Sequence, residues 1–324
     1  MNPRHVLLLL ALLASACSSQ IAQGPHPIPV IFDTDIGDDI DDTWALGFLL
    51  QCPELELKLA VGDNGKPEYR AKLLAKFLAT TGHGDAPVGL GLEVGEDRSA
   101  RQAAWLGDYQ LAQYPGPVLR DGVQAIIDTI LASDRMVTVI AVGPTQNIAE
   151  ALRREPRIAQ RARFVGMQGS VRVGYEGRSQ IAAEYNVAVA PTACGETFAA
   201  PWPVTITPLD TCGLVALDEK AYAQVARSHD AVAAAIVANY EAWAIAGGAD
   251  ARRAPQRSTT LFDTVAVWLA FDHSLCGMER LGIRVDAQGF TREDPNAKSI
   301  DVATSWSDRV AFERLLVTRL IGSR

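Results

Sequence analysis

The chain has 324 residues, of which 48% are apolar and 21% charged, and a formal net charge of -8. Such a chain is globular and can bury one large α/β core or two smaller ones. Its acidic balance and lack of a Lys/Arg-rich stripe exclude a nucleic-acid backbone as partner, because phosphate binding needs clustered cations; small molecules remain as the ligand class.

The chain opens MNPRHVLLLLALLASACSSQ: one cation, Arg4, then an apolar run from Val6 to Ala14, then small residues before Cys17. The run is too short to span a membrane as a mature helix and reads as a signal peptide, residues 1–16. Leu13-Ala14-Ser15-Ala16-Cys17 resembles a bacterial lipobox, which implies diacylation of Cys17 as the new N-terminus. Ala14 stands where the lipobox prefers Leu, so ordinary secretion with cleavage nearby is the alternative. Ser18 rather than Asp after the cysteine fits outer-membrane sorting in a Gram-negative source. The expected location is therefore periplasm-facing, with a lipid anchor as the only membrane contact. Residues 17–27 then form a tether and 28–324 the folded domain. Cys52, Cys194, Cys212 and Cys276 remain, at spacings that match no zinc pattern; buried thiols and a single Cys194–Cys212 bridge are both open to an exported chain.

Apolar runs then alternate with helical segments. IPVIFDTD precedes a helix from about Thr43, LKLAVGD precedes PEYRAKLLAKFLATTG, and RMVTVIAVG precedes TQNIAEALRR. ARFVGMQG and PVTITPLD follow, then two helical stretches, Asp218 to Ala246 and Asp263 to Phe271. LGIRVDAQGFT and SIDVAT predict a short β region before a closing helix from Ser307. Near-continuous Val/Ile/Leu strands between helices predict a single large domain with a mostly parallel, doubly wound (Rossmann-like) sheet flanked by helices. Residues 247–260, GGADARRAPQRSTT, are expected to form a mobile loop. Ligands of such sheets bind at the carboxyl ends of strands, where VIFDTDIGDDIDD, AVGPTQN and MQGS all fall.

VIFDTDIGDDIDD packs six aspartates into ten positions, Asp33 to Asp42. A solvated turn capping the next helix accounts for one or two of them, since a carboxylate there gains up to about 1 kcal/mol from the helix dipole. It does not account for Asp33 and Asp35 at the end of an apolar strand, where unpaired charge is costly. A bound cation resolves the conflict, and oxygen-only ligands favour calcium or magnesium over zinc. An EF-hand loop counted from Asp33 fails, with Asp38 at the required Gly and Trp44 at the required Glu. The haloacid-dehalogenase phosphatases resemble the Asp33 and Asp35 pair, but want Thr or Val at Gly37 and leave Asp41 and Asp42 without a role.

Taken with three later segments and one strand end, the stretch resembles the inosine-uridine-preferring nucleoside hydrolases, calcium-dependent enzymes that cleave the N-glycosidic bond of ribonucleosides. Their strand ends DTDPG, one residue, then DD; here DTDIG is followed by DDI and Asp41-Asp42, the two-residue expansion of one branch. VGPTQNIAEAL (142–152) resembles TGPLTNIA, MQGS…AAEYNV (167–187) resembles MGG…AEFN, PLD (208–210) a strand end, and LFDTVAV (261–267) the HDPxA helix start. The order is the family's, over residues 28 to about 320.

The resemblance implies that calcium is held by Asp35, Asp42, Asp263 and the backbone carbonyl of Val142, and that Asp35 takes the proton of a calcium-bound water. It implies sugar contacts from Asp41, with Asp39 competing for that place, from Glu184 and Asn186, and from Asp63. Acceptors around one sugar suit a ribosyl-cation transition state. Three positions depart from the pattern: Phe262 where many relatives carry a proton-donating His, Arg178 near a sugar-binding Asn, and Gln168 in MGG. Trp105 and Tyr109 are candidates to stack on the base, with simple packing as the alternative. His83, His229 and His273 lie in no motif. The function implied is hydrolysis of ribonucleosides to base and ribose; the alternatives are a non-catalytic nucleoside- or sugar-binding lipoprotein and a phosphatase. By analogy the chain forms a dimer or tetramer.

Overall fold

A computed structural model describes residues 26–94, 100–252 and 255–322. The leader and Cys17 lie outside them. Among the described residues no helix is long and apolar enough to cross a membrane.

Ten strands form one sheet. In chain order the elements are β1 (Ile28–Thr34), α1 (Asp41–Leu50), β2 (Leu55–Gly62), α2 (Pro67–Thr80), β3 (Val88–Leu90), α3 (Ala103–Leu106) and β4 (Val118–Leu119). They continue as α4 (Gly122–Ala132), β5 (Val137–Ala141), α5 (Gln146–Arg154), β6 (Ala162–Met167), α6 (Tyr185–Val189), α7 (Pro191–Ala199) and β7 (Val204–Thr207). The last third holds α8 (Glu219–Ala226), α9 (Ala231–Ala246), α10 (Phe262–Leu269), β8 (Cys276–Val285), β9 (Thr291–Glu293), β10 (Ser299–Trp306) and α11 (Arg309–Leu320). The spatial order is β4-β3-β2-β1-β5-β6-β7-β10-β8-β9. Pairing is parallel from β4 to β10 and antiparallel at the β8 and β9 edge.

The central strands β1 and β5 are buried along nearly their whole length because both faces are covered. Val30 and Phe32 of β1 enter one core with α1, α2 and α8 to α11, whereas Ile31 enters a second core with α4, α5 and α7. The doubly wound sheet read from the sequence is thus the observed one. Strand order reverses at β1, which pairs with β2 on one side and β5 on the other. That reversal opens a crevice at the carboxyl edge.

The stretch 218–246 is two helices, broken where Asp230 accepts the amides of Val232 (2.8 Å) and Ala233 (3.3 Å) and so caps α9. The helix expected from Thr43 starts two residues earlier, at Asp41. Residues 247–252 and 255–260 carry no helix or strand beyond an isolated bridge from Thr260 to Ala216. All four described cysteines are free and buried, so Cys194 and Cys212 are thiols and not a bridge.

Candidate active site

A cavity of about 350 Å³ opens at the crevice beside β1 and β5. After Thr34 the chain turns sharply at Gly37, whose φ of 119° suits glycine alone; a Cβ there would sit 2.6 Å from the Tyr69 ring. The turn delivers Asp41 and Asp42 to the first turn of α1, and Asp263 occupies the first turn of α10. Helix N-termini are the place where carboxylates are best tolerated. These two helices pack together, and carboxylate oxygens of Asp41, Asp42 and Asp263 lie within 4.8 Å of one another.

All three side chains are buried. Burial, and then their neighbouring carboxylates, pushes each far above the ordinary carboxylate range. Three such groups must either take up protons or share a cation. An all-oxygen donor set fits a hard divalent ion. The Thr34 hydroxyl donates to Asp42 and accepts the Ile36 amide at 3.1 Å, which fixes one carboxylate before any ion arrives.

Asp35 lines the same cavity, although its carboxylate is not one of the three close neighbours. Burial raises its carboxyl to about 6, against the pull of Arg70. Val142 also lines the cavity, and its carbonyl accepts the Asn186 side-chain amide at 3.0 Å. Asn186 donates as well to the Met167 carbonyl at 3.0 Å, so its amide hydrogens are committed and its Oδ1 is the atom left for a ligand. Glu184 lines the cavity while capping α6, accepting the amides of Gly169 (2.8 Å), Asn186 (2.8 Å) and Val187 (3.4 Å). Burial nevertheless raises it to about 7. Asp41, one of the three clustered carboxylates, is buried, whereas Asp39 is exposed at the rim.

Several residues singled out in the sequence lie elsewhere. Asp63 is fully buried at the end of β2 behind Gly143, whose Cβ would meet both its carboxylate oxygens at 2.6 Å; it does not line the cavity. Asp63 pairs with Asp33, and burial followed by the charge of Asp33 pushes its carboxyl well up. Trp105 packs on Phe77, 6.3 Å between centroids, under the Lys76 ammonium, and neither it nor Tyr109 lines the cavity. Arg178 pairs with Glu176 at 2.7 Å in an exposed turn. Gln168 donates to the Gly143 carbonyl at 2.9 Å, holding the ends of β5 and β6 together. His83, His229 and His273 are outside the lining.

Sequence reasoning missed Arg70, Asp38, Arg101, Tyr175 and Tyr185. Arg70 of α2 is 2% exposed. Its guanidinium donates to the carbonyls of Asn64, Asp35 and Ile36, the last at 2.8 Å, and to Asp38 at 2.9 Å. It is the cation that holds the acidic loop from beneath. No periodicity announces it, because it sits where an apolar residue of α2 is expected.

Comparison with known proteins adds to this geometry. The sequence model of the family described as inosine-uridine preferring nucleoside hydrolase matches residues 30–312. A "Non-specific ribonucleoside hydrolase RihC" of Klebsiella pneumoniae (strain 342) is 29% identical over 194 residues, 56% of this chain and 62% of the relative. An "Inosine-uridine preferring nucleoside hydrolase" of Leishmania major is 33% identical over 199 residues, 57% of this chain and 61% of the relative. The match thus spans less than two thirds of these curated relatives. Among solved structures, a plant nucleoside hydrolase superposes with a TM-score of 0.76 at 22% identity, covering 91% of this chain and 99% of that one. A purine-preferring ribonucleoside hydrolase from Gardnerella vaginalis gives 0.72 at 23% identity, covering 91% and 98%. At such identities these two likenesses are of fold.

Proposed function

The chain belongs to the inosine-uridine preferring nucleoside hydrolase family, and on that premise we propose that it hydrolyses the N-glycosidic bond of ribonucleosides to free base and ribose, with calcium as cofactor. The observation that carries the reading is the meeting of Asp35, Asp41, Asp42 and Asp263 with the Val142 carbonyl, Glu184 and Asn186 on one cavity.

In this reading Asp42, Asp263, Asp35 and the Val142 carbonyl hold the ion. Calcium, when bound, supplies Lewis-acid activation of the attacking water. Asp35 accepts a proton from that water, a task suited to a carboxyl whose burial raises it to about 6. Asp41, Glu184 and Asn186 receive sugar hydroxyls, and Asp39 can add a rim contact. The carboxylates favour positive charge developing on the ribosyl group more than they favour the neutral substrate. Phe262, edge-on to Tyr175 at 6.2 Å between centroids, bounds the cavity without being able to give a proton.

The leader supports export as a lipoprotein anchored through Cys17, and family analogy supports a homo-oligomer. The hydrolase reading is tested by measuring ribose release from a panel of purine and pyrimidine nucleosides with calcium, then with chelator, then with calcium restored. Release that vanishes and returns supports the hydrolase and its ion. Silence from a folded, calcium-binding protein would favour a nucleoside- or sugar-binding role instead.

A further inference from the structure

Breaking the bond between a sugar carbon and a base nitrogen leaves the electron pair on the base. A site for this reaction must therefore stabilise negative charge on the departing base as well as positive charge on the sugar. The cavity lining carries seven carboxylate side chains and one permanent cation, Arg101. Among the described residues no histidine lines it. Tyr175 also lines it; its hydroxyl accepts the Tyr185 amide at 2.9 Å and keeps its own proton, so it offers a neutral donor but no positive charge.

Arg101 is held in place rather than loosely exposed. Its guanidinium carbon lies 3.5 Å from the centroid of the Trp243 ring, and one Nη donates to the Trp243 carbonyl at 3.3 Å. Trp243 in turn donates its indole N–H to the Asp38 carbonyl at 2.9 Å. The next residue, Gln102, is fully buried and donates to the Asp39 carbonyl and the Thr43 hydroxyl, each at 3.2 Å. A guanidinium lying on an indole keeps its N–H groups directed outward in its own plane. Its Nε is buried and has no hydrogen-bond acceptor among the described residues, while the nearby Asp39 carboxylate feels its charge.

We propose that Arg101 contacts the leaving base, donating to the carbonyl oxygen or ring nitrogen on which negative charge accumulates. This rests on the hydrolase reading. The sugar–nitrogen bond breaks and its electron pair stays on the base; the water oxygen bonds to the sugar carbon. One water proton goes to Asp35, and the base anion takes a proton from solvent. The guanidinium keeps its protons throughout, so its contribution is electrostatic and not acid catalysis.

Arg101→Met removes the donor and keeps aliphatic packing on Trp243, and Arg101→Lys keeps the charge without the fork. The measurement is kcat/KM for ribosides of one sugar with leaving groups that run from ordinary bases to an activated aryl group. Arg101→Met is expected to lower kcat/KM on the nucleosides by about ten- to a thousandfold and on the activated riboside by less than about threefold, with Arg101→Lys intermediate. The dependence on leaving-group pKa then steepens. A uniform fall across the series would make Arg101 a packing residue and overturn the proposal. Calorimetric binding of free uracil and hypoxanthine gives a second readout, with about tenfold or greater weakening expected in Arg101→Met. Equal affinity would overturn the contact even if the wild type cleaves none of the ribosides. Lack of cleavage with weakened base binding would sink the hydrolase reading alone and uphold the contact.

Discussion

The side-chain amide of Asn186 donates to the carbonyl of Val142 at 3.0 Å, across 44 positions of sequence. With its second bond, to Met167, it clasps the ends of β5 and β6 at the floor of the cavity. Asn186→Asp keeps the shape and turns a donor toward two carbonyls into an acceptor. The change is expected to cost about 2 kcal/mol in urea unfolding. An unchanged midpoint would mean that the clasp does not hold the strand ends.

Asp35→Asn tests the assignment of the base. The variant is expected to lose about a thousandfold or more in kcat, while substrate affinity by calorimetry stays within about tenfold. Turnover near that of the wild type would remove Asp35 from the proton-transfer step.

Asp263→Asn is expected to act with opposite signs in two buffers. Without ion it removes one buried carboxyl that folding forces to take up a proton, and should raise the melting temperature at neutral pH. With saturating calcium it removes a ligand and should lower it. Movement in the same direction in both buffers would exclude Asp263 from the ion site.

Stability of the ion-free protein should depend on pH in a direction unusual for acidic groups. Burial holds Asp41, Asp42, Asp63 and Asp263 far above their ordinary range, Asp35 near 6 and Glu184 near 7. A folded-state pKa above the unfolded one means that the folded chain binds more protons between the two values. Stability therefore rises as pH falls from about 7 toward 5, and is lost as pH rises. Calcium is expected to reverse the trend, because a bound ion requires the ionised carboxylates and competes with protons. Melting curves between pH 5.5 and 8, in chelator and in calcium, are expected to slope oppositely; parallel curves would contradict the ion site.

Arg70→Met leaves Asp38 without its buried partner and three carbonyls without a donor. A loss of about 3–5 kcal/mol is expected, with calcium affinity falling as the loop slackens. A change under about 1 kcal/mol would show that the loop holds itself.

Where the fold was legible in the sequence, one reason recurs. Strands β1, β2, β5, β6 and β7 are rich in Val, Ile and Leu or buried over most of their length, and their ends carry the acidic loop, the Val142 segment and the Met167 segment. Strands β3 and β4, three and two residues long, leave no run to detect. The break at 227–230 was hidden by alanine-rich sequence, although Asp230 is an N-cap signal in plain view. Asp35, Asp39, Asp41 and Asp42 could be read because they are neighbours along the chain, and Glu184 and Asp263 because their segments resemble a known family's. Arg70, Arg101 and Trp243 could not, since their roles depend on which helix packs beside the loop. Trp105 and Asp63 stand near the site in sequence, yet neither lines the cavity.

Asp42 belongs to the first helix and Asp263 to the tenth, roughly 220 positions later. An ion shared between them would be a reversible crosslink closing most of the chain into a ring, a role otherwise met in covalent bridges. Such a link can form only once the C-terminal third has folded against the N-terminal helix. A truncated or half-folded copy would keep its acidic loop but lack the far carboxylate, and so would remain unlatched.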